Sequence, residues 1–342
     1  MSDALDLSAH TTFHTGGPAN SIVVARSEQE LVAAVREADE SGTPVLVLSG
    51  GSNVLVSDEG FDGVVVLVAS AGISADVSAC AGAYLTIQAG ETWDHVVAQS
   101  VEQGWMGLEA LSGIPGLVGA APVQNIGAYG AQVADSIARV RTYDREKAQV
   151  KTFAAGDCGF GYRTSVFKAN PGRYLILSVD LQLKIADLSW GVKYAELARY
   201  LGVEVGTRVP TSDVRQAVLS LRASKGMVLD ETDHDTWSAG SFFTNPVVAP
   251  EVADALPEGA PRFPGPDGVK TSAAWLIEHA GFPKGYGRGA ASLSTKHVLA
   301  LTNRGQATTS DIAALAREIR DGVRTMYGVT LLPEPVFVGV EW

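Results

Sequence analysis

Apolar and polar positions in the first third of the chain switch between the period of a strand and that of a helix. Residues 20–26 (NSIVVAR) read as a strand, and Ser27 follows as a helix N-cap with Glu30 three positions on, the signature of a capping box. Leu31, Val35 and Ala38 then recur at helical spacing until Gly42 ends the pattern. A short apolar run at 44–48 leads straight into SGGSN at 49–53, and the run at 64–68 predicts a further strand. The expected opening is β-α-β, with a glycine loop after its second strand. Residues 84–89 (YLTIQA) alternate as a strand, and Thr92 caps a helix carrying Trp93, Val96, Val97, Ser100 and Val101. Strand-like runs recur around 139–153 and 174–185, and helical patterns near 194–201 and 212–223. Residues 256–271 (LPEGAPRFPGPDGVKT) are dense in proline and glycine and read as a long surface loop. A last helix spans about 311–327, with Ile312, Leu315, Ala316, Ile319, Val323 and Met326 at helical spacing. Gly328 ends it, and 336–340 reads as a final strand. No internal repeat emerges.

One segment fits neither period. Residues 107–130, GLEALSGIPGLVGAAPVQNIGAYG, hold too many breakers for regular structure and too many apolar residues for a solvent loop. They read as backbone packed close to a large ligand. The 37 glycines in 342 residues exceed the usual share of about 7% and agree with that reading. A net charge of −12 without any Lys/Arg run excludes a general nucleic-acid-binding surface, while leaving room for a local basic pocket around a phosphate. Cys80 and Cys158 form no CxxC and no Cys/His cluster, and two buried free thiols are expected. His10, His14, His95, His234, His279 and His297 are scattered, so no metal site is expected. The first residues lack a charged stretch followed by an apolar one, and the densest apolar run, 64–69, is too short for a bilayer. A cytoplasmic protein of two or three domains, without membrane insertion, is the expectation.

Four segments could carry chemistry. In SGGSN, consecutive glycines let N–H groups converge on an anion, with Ser52 and Asn53 as further donors; a plain tight turn explains the same residues. In FGYRTSVFK (160–168), a strand would send Tyr162 and Arg163 to opposite faces. The Arg163 fork suits a carboxylate ligand, or else a structural ion pair. In WSAGSFFTNP (237–246), Ser241 follows a glycine and precedes two phenylalanines; no GxSxG elbow is present. It serves either as a turn residue or as a donor to a strongly basic carbanion. In LLPEPVFVG (331–339), Glu334 is held between two prolines, as a rigid site carboxylate or an exposed turn residue. Asp233, His234 and Asp235 read as a solvated charge run, and Trp93, Trp105 and Trp275 as core.

In their order and spacing, TTFHTGGPA (11–19), SGGSN, GIPGLVGAAPVQNIGAYG, GYRTSVFK, GSFFTNP and the final PEP resemble the UDP-N-acetylenolpyruvoylglucosamine reductase family over nearly the whole chain. These are the flavoenzymes of peptidoglycan precursor synthesis known as MurB. The resemblance implies an α+β protein, with a two-subdomain FAD-binding fold of the vanillyl-alcohol-oxidase (PCMH) type and a C-terminal α+β substrate-binding domain. The implied boundaries are 1–70 for the first FAD-binding subdomain, rejoined by about 329–342, then 71–225 for the second and 226–328 for the substrate domain. FAD would be non-covalent, since SGGSN offers no histidine for attachment. Its cradle would be Gly50, Gly51, Ser52, Asn53 and Val54 together with Ser112, Gly113, Ile114, Pro115, Gly119, Val123 and Gly127, with Arg222 near the flavin ring.

The implied reaction is NADPH-dependent reduction of UDP-N-acetylglucosamine enolpyruvate to UDP-N-acetylmuramate. Hydride passes from flavin N5 to C3 and a proton to C2. Arg163 and Glu334 would stabilise the enolate-like species, with Glu334 sharing or holding a proton, and Ser241 would protonate C2. Tyr162, Lys225, Asn245 and His297 match positions near the substrate, and Tyr194 resembles the lid-loop tyrosine of one branch of the family. Val336 departs from the pattern, standing where relatives often carry a basic residue. The partner implied is a small molecule, not nucleic acid, and the protein a monomer. Two other readings stay open: an FAD-dependent sugar or alcohol oxidase on the same fold, and a non-catalytic sugar-nucleotide sensor.

Overall fold

Ser27 accepts a hydrogen bond from the Glu30 N–H and starts the helix Glu28–Ser41, which Gly42 ends in a left-handed conformation. The return arm of the expected box falls one residue early, because the Glu30 carboxylate takes the N–H of Arg26. Leu31, Val35 and Ala38 are buried as their spacing requires. The computed structural model describes residues 5–265 and 268–342. The chain divides into two compact units, Asn20–Gly50 with Asp62–Ala223, and Met1–Ala19 with Gly51–Phe61 and Ser224–Trp342.

The Asn20–Gly50/Asp62–Ala223 unit is built on two sheets. In the first, Phe61–Val68 lies between Ala19–Ala25 and Val45–Leu48, and its pairing with Val45–Leu48 is parallel, as the β-α-β pattern predicts. The second is antiparallel, in the order Gln149–Ala154, Ile137–Asp144, Tyr174–Ile185, Gly82–Gln88, Ile73–Ser78, with Trp105–Met106 added beside Tyr174–Ile185. Its face buries Leu85, Ile87, Val140, Val179 and Leu181 against Trp93, Val96 and Val97 of the helix Trp93–Glu102. A further small core joins the helices Ala195–Leu201 and Thr211–Ser224 through Leu197, Val214 and Val218.

The second unit centres on the helix Thr309–Tyr327, opened by a capping box between Thr308 and Asp311 and closed by Gly328. Ile312, Leu315, Ala316, Ile319 and Val323 are buried, whereas Met326, expected on the same face, is exposed where the helix runs out of core. The loop expected over 256–271 is largely a hairpin: Arg262–Gly265 pairs antiparallel with Gly268–Thr271. Its proline and glycine residues hid the strands, since Pro264 sits where an edge strand tolerates proline. Val336–Val338, the expected final strand, pairs in parallel with Val54–Val56.

Three further expectations are corrected. Cys158 is a buried free thiol, but Cys80 is exposed. Asp233 and Asp235 are not solvated: Asp233 pairs with Lys296, and the buried Asp235 carboxylate accepts from Thr295 and Arg304. Tyr162 and Arg163 lie in no strand; they are the two central residues of a turn closed by mutual main-chain bonds between Gly161 and Thr164. Among the described residues no helix is long and apolar enough to cross a membrane, and no group of His, Cys, Asp or Glu is placed to hold a metal ion.

Candidate active site

The candidate residues fall on both units, and each half is built by its own unit. In the first, the segment after residue 107 is stitched to the chain entering the helix Trp93–Glu102. Gly119 N–H donates to Ala89 O at 2.8 Å, Val118 N–H to Glu91 O at 2.9 Å, Trp93 N–H to Gly116 O at 3.1 Å, and the Trp93 indole to Leu111 O at 3.1 Å. Ser112 is wholly buried, its hydroxyl tied to Glu109 O, and Ile114 and Val123 pack against the sheet core. Gly50 is needed here for space: a Cβ would stand 2.8 Å from Gly116 Cα. Beside it the Ser49 hydroxyl is buried without a hydrogen-bond partner. A buried unmet hydroxyl at the start of a glycine loop fits a polar ligand such as a dinucleotide.

Asp94 holds this arrangement and was not singled out by the sequence. Its carboxylate accepts the Gly113 N–H at 2.6 Å and binds Arg215 bidentately at 2.7 and 2.8 Å. Burial works to raise its pKa, but the Arg215 guanidinium and the Gly113 N–H together hold it below the usual carboxylate value. The sign follows: the stability this provides is present above the unfolded aspartate pKa and is lost as pH falls through the lower folded value. Asp94→Ala is expected to release the 112–116 turn and lower the protein's retention of FAD. The check is flavin absorbance per mole of protein after gel filtration, and wild-type flavin content in a folded variant would refute it.

Arg163 is the most constrained candidate. It sits at φ +52°, a left-handed conformation that costs a residue with a side chain about 1–3 kcal/mol and persists where surrounding bonds impose it. Its guanidinium donates to Gly127 O at 2.9 Å and Asn125 O at 3.4 Å, and lies 5.5 Å from the Tyr162 ring. These carbonyl bonds hold the fork against the glycine segment itself. Asn125, also left-handed and also missed, carries the turn, its side-chain amide donating to Gly161 O at 3.0 Å. The Ser165 hydroxyl bonds Val123 O and caps the helix Val166–Ala169 behind the turn.

Tyr162 and Tyr194 are half-exposed, Tyr194 at the N-terminus of Ala195–Leu201. Its pKa is raised by burial, by Glu196 and by the nearby Tyr162. The Tyr194 ring meets the edge of Tyr129 at 5.6 Å. Tyr129 was hidden in the glycine segment; burial pushes its hydroxyl up to about 12, against the pull of Arg222. Burial pushes the Arg222 guanidinium down to about 10, against Tyr129 and Asp94, so it keeps its charge at neutral pH. Arg222, Tyr129 and Tyr194 thus form one neighbourhood.

In the other unit one main-chain strip joins three candidates from distant parts of the chain. Asn53 Nδ2 donates to Glu334 O at 3.3 Å, and Val336 N–H to Asn53 O at 3.0 Å. Glu334 N–H donates to Phe242 O at 2.8 Å, directly after Ser241, and Thr244 N–H to Leu332 O at 3.1 Å. Glu334 is half-buried, so the exposed-turn reading fails. Ser241, also half-buried, follows Gly240 at φ +70°. Gly51 is left-handed at φ +59°, a side chain there would also run into His10 O, and Thr12 N–H closes onto Gly51 O at 3.1 Å. Ser52 is half-buried in the same loop, and Val54 starts the strand paired with Val336. Asn245 Oδ1 accepts the Ala273 N–H at 3.0 Å, which ties it to the start of the helix Ala273–His279. Lys225 and His297 are half-buried.

Comparison with known proteins matches residues 19–153 to an FAD binding domain and residues 231–338 to the C-terminal domain of UDP-N-acetylenolpyruvoylglucosamine reductase. The UDP-N-acetylenolpyruvoylglucosamine reductase of Cutibacterium acnes is 59% identical over 333 residues, covering 96% of this chain and 88% of that protein. That of Thermobifida fusca is 52% identical, covering 98% and 97%. A solved structure, the UDP-N-acetylenolpyruvylglucosamine reductase (MurB) of Thermus caldophilus, superposes with a TM-score of 0.67 at 26% identity, covering 97% of both chains. An FAD-binding domain followed by that C-terminal domain, with full-length relatives of the same name, settles the assignment: this chain is a member of the UDP-N-acetylenolpyruvoylglucosamine reductase family.

Proposed function

We propose that the protein reduces UDP-N-acetylglucosamine enolpyruvate to UDP-N-acetylmuramate with electrons from NADPH, as a cytoplasmic step of peptidoglycan precursor synthesis. The observation that carries this is the main-chain strip that sets Ser241 beside a residue bonded to Glu334. A serine makes a poor nucleophile without a base, but as a donor it suits proton delivery to a strongly basic carbon. Ser49–Val54 and the 112–127 segment, with Arg222, would hold FAD. When bound, FAD supplies the hydride that adds to C3 of the enolpyruvyl group.

The chain's own residues then manage the charge and the proton. Addition at C3 leaves negative charge at C2, shared with the substrate carboxylate as an enolate-like dianion. The Arg163 fork binds that carboxylate, its orientation set by the Gly127 and Asn125 carbonyls. Glu334 contributes a hydrogen bond while holding a proton, because a bare carboxylate would repel the dianion. The Ser241 O–H bond breaks, its hydrogen bonds to C2, and the alkoxide is reprotonated from solvent or through Glu334. Lys225 places a point charge on the diphosphate, and Tyr162, Tyr194, Asn245 and His297 contact the sugar nucleotide.

The division at 1–70 with 329–342, 71–225 and 226–328 is retained as part of this reading. The parallel and antiparallel sheets fall in the first two parts, and the match to the C-terminal domain, 231–338, takes in most of the third and runs into the rejoining segment. An anaerobic absorbance titration tests the function. NADPH is expected to bleach the flavin band, and the enolpyruvyl sugar nucleotide to restore it. A bound flavin that NADPH leaves coloured, or that oxygen reoxidises faster than the enolpyruvyl compound, would overturn the proposal in favour of an oxidase.

A further inference from the structure

We infer that Trp342 is a positioning residue for the proton-donating half of the site, an inference that rests on the roles proposed for Ser241 and Glu334. Phe242 is the pivot between those two. Its carbonyl accepts the Glu334 N–H and its own N–H donates to Leu299 O, both at 2.8 Å. Its ring is fully buried, and the Trp342 indole lies against it at 6.1 Å between centroids. The same indole lies 6.2 Å from Phe243 and 5.2 Å from Phe337, nearly parallel to Phe337 at 29°. Phe337 belongs to the strand that follows Glu334, where it pairs with Leu55. One side chain therefore touches the rings following Ser241 and the ring following Glu334.

The indole is also contacted from the helix Thr309–Tyr327. The Arg320 guanidinium carbon stands 4.9 Å from the ring centre, and Asp321 holds that guanidinium at 3.0 Å. Arg317 donates to Glu341 O at 2.9 Å and fixes the chain just before the tryptophan. Trp342 remains 37% exposed, so it is not packed as core residues such as Phe242 are. Phe242 and Phe337 also meet directly, edge to face at 6.2 Å, and the distinct contribution of Trp342 is to contact both of these rings and Phe243 at once. Aromatic contacts of this kind resist relative tilting of the rings, and so of the serine and the glutamate they flank.

Both flavin half-reactions of the holoenzyme, measured anaerobically by stopped flow, test the inference. A displacement near 1 Å at reacting groups costs up to about a hundredfold, so a brace one layer removed is expected to cost about tenfold. Trp342→Ala should slow reoxidation by saturating enolpyruvyl sugar nucleotide by that factor, with its half-saturating concentration and the rate of reduction by NADPH unchanged. Trp342→Phe should restore most of the rate. Full-speed reoxidation in folded Trp342→Ala overturns the inference, and so does an equal loss in both half-reactions, the mark of a merely stabilising residue. If Trp342→Ala does not fold, Arg320→Gln, which removes the guanidinium from the indole, should slow reoxidation alone by about two- to threefold. Unchanged rates there overturn the inference too. Wild-type protein that NADPH bleaches but the enolpyruvyl compound does not restore overturns the proposed function and the brace together. Normal wild-type recovery with an unaffected Trp342→Ala overturns the brace alone.

Discussion

Replacing Ser241 with alanine is expected to leave flavin reduction by NADPH at the wild-type rate. Reoxidation by the enolpyruvyl sugar nucleotide should slow by about a hundred- to ten-thousandfold, the span that a positioned general acid supplies. Selectivity between the two halves is the informative part. Ser241 is followed by a residue whose N–H and carbonyl are both committed to Leu299 and Glu334, and preceded by a left-handed glycine. Removing one oxygen therefore leaves the backbone in place, and the 112–127 segment proposed to hold FAD belongs to the other unit. Loss of both half-reactions with FAD retained would show that the hydroxyl does not act as the proton donor. A protein that only senses the sugar nucleotide would bind it with unchanged affinity in the variant and show no reoxidation even as wild type.

Arg163→Lys is expected to lower turnover by about a hundredfold, comparable to removing a hydrogen-bond donor from an oxyanion site. Lysine keeps the charge but presents a compact ammonium in place of a planar fork. The Arg163 guanidinium is oriented by Gly127 O, Asn125 O and the Tyr162 ring, contacts that suit its planar shape. An ammonium cannot reproduce the bidentate geometry that a guanidinium offers a carboxylate. The backbone adds no compensation, since lysine is as strained as arginine at a positive φ. Turnover should fall while bound flavin per protein stays constant, measured on the same preparation. Near-normal turnover would remove Arg163 from the carboxylate-binding role.

Much of the fold was legible because its elements obey local rules. Ser27, Gly42 and Gly328 cap as their types dictate, and the buried faces follow the apolar periods, whereas the cap at Thr308 starts the last helix two residues before the expected 311. The hairpin at 262–271 was obscured because its strands are edge-like and carry the proline and glycine that usually mark loops. The site was legible as a set of motifs but not as geometry. Arg163 reads as a strand residue by its neighbours, and only the bonds between Gly161 and Thr164 and the anchoring by Asn125 force it into a left-handed turn. Asp94 stands in the first turn of the helix Trp93–Glu102, where an acid is a helpful charge at the positive end of the dipole. Its second task, gripping Gly113 and Arg215, depends on segments far along the chain, which no local pattern can report. Asp233 and Asp235 misled in the same way, since their partners Lys296, Thr295 and Arg304 are remote.

The strip joining Asn53, Phe242 and Glu334 also bears on how the molecule comes into being. Every bond in it is long-range, and its backbone continues into a parallel strand pair between Val54–Val56 and Val336–Val338. Pairings of that kind form late, because the entropy of closing the intervening chain must be met before any contact rewards it. On the ribosome, Asn53 and Ser241 are made and wait without their partner until residue 334 has emerged. This half of the site is thus among the last things the chain completes, and a truncated or stalled product carries the serine without the glutamate that sets it.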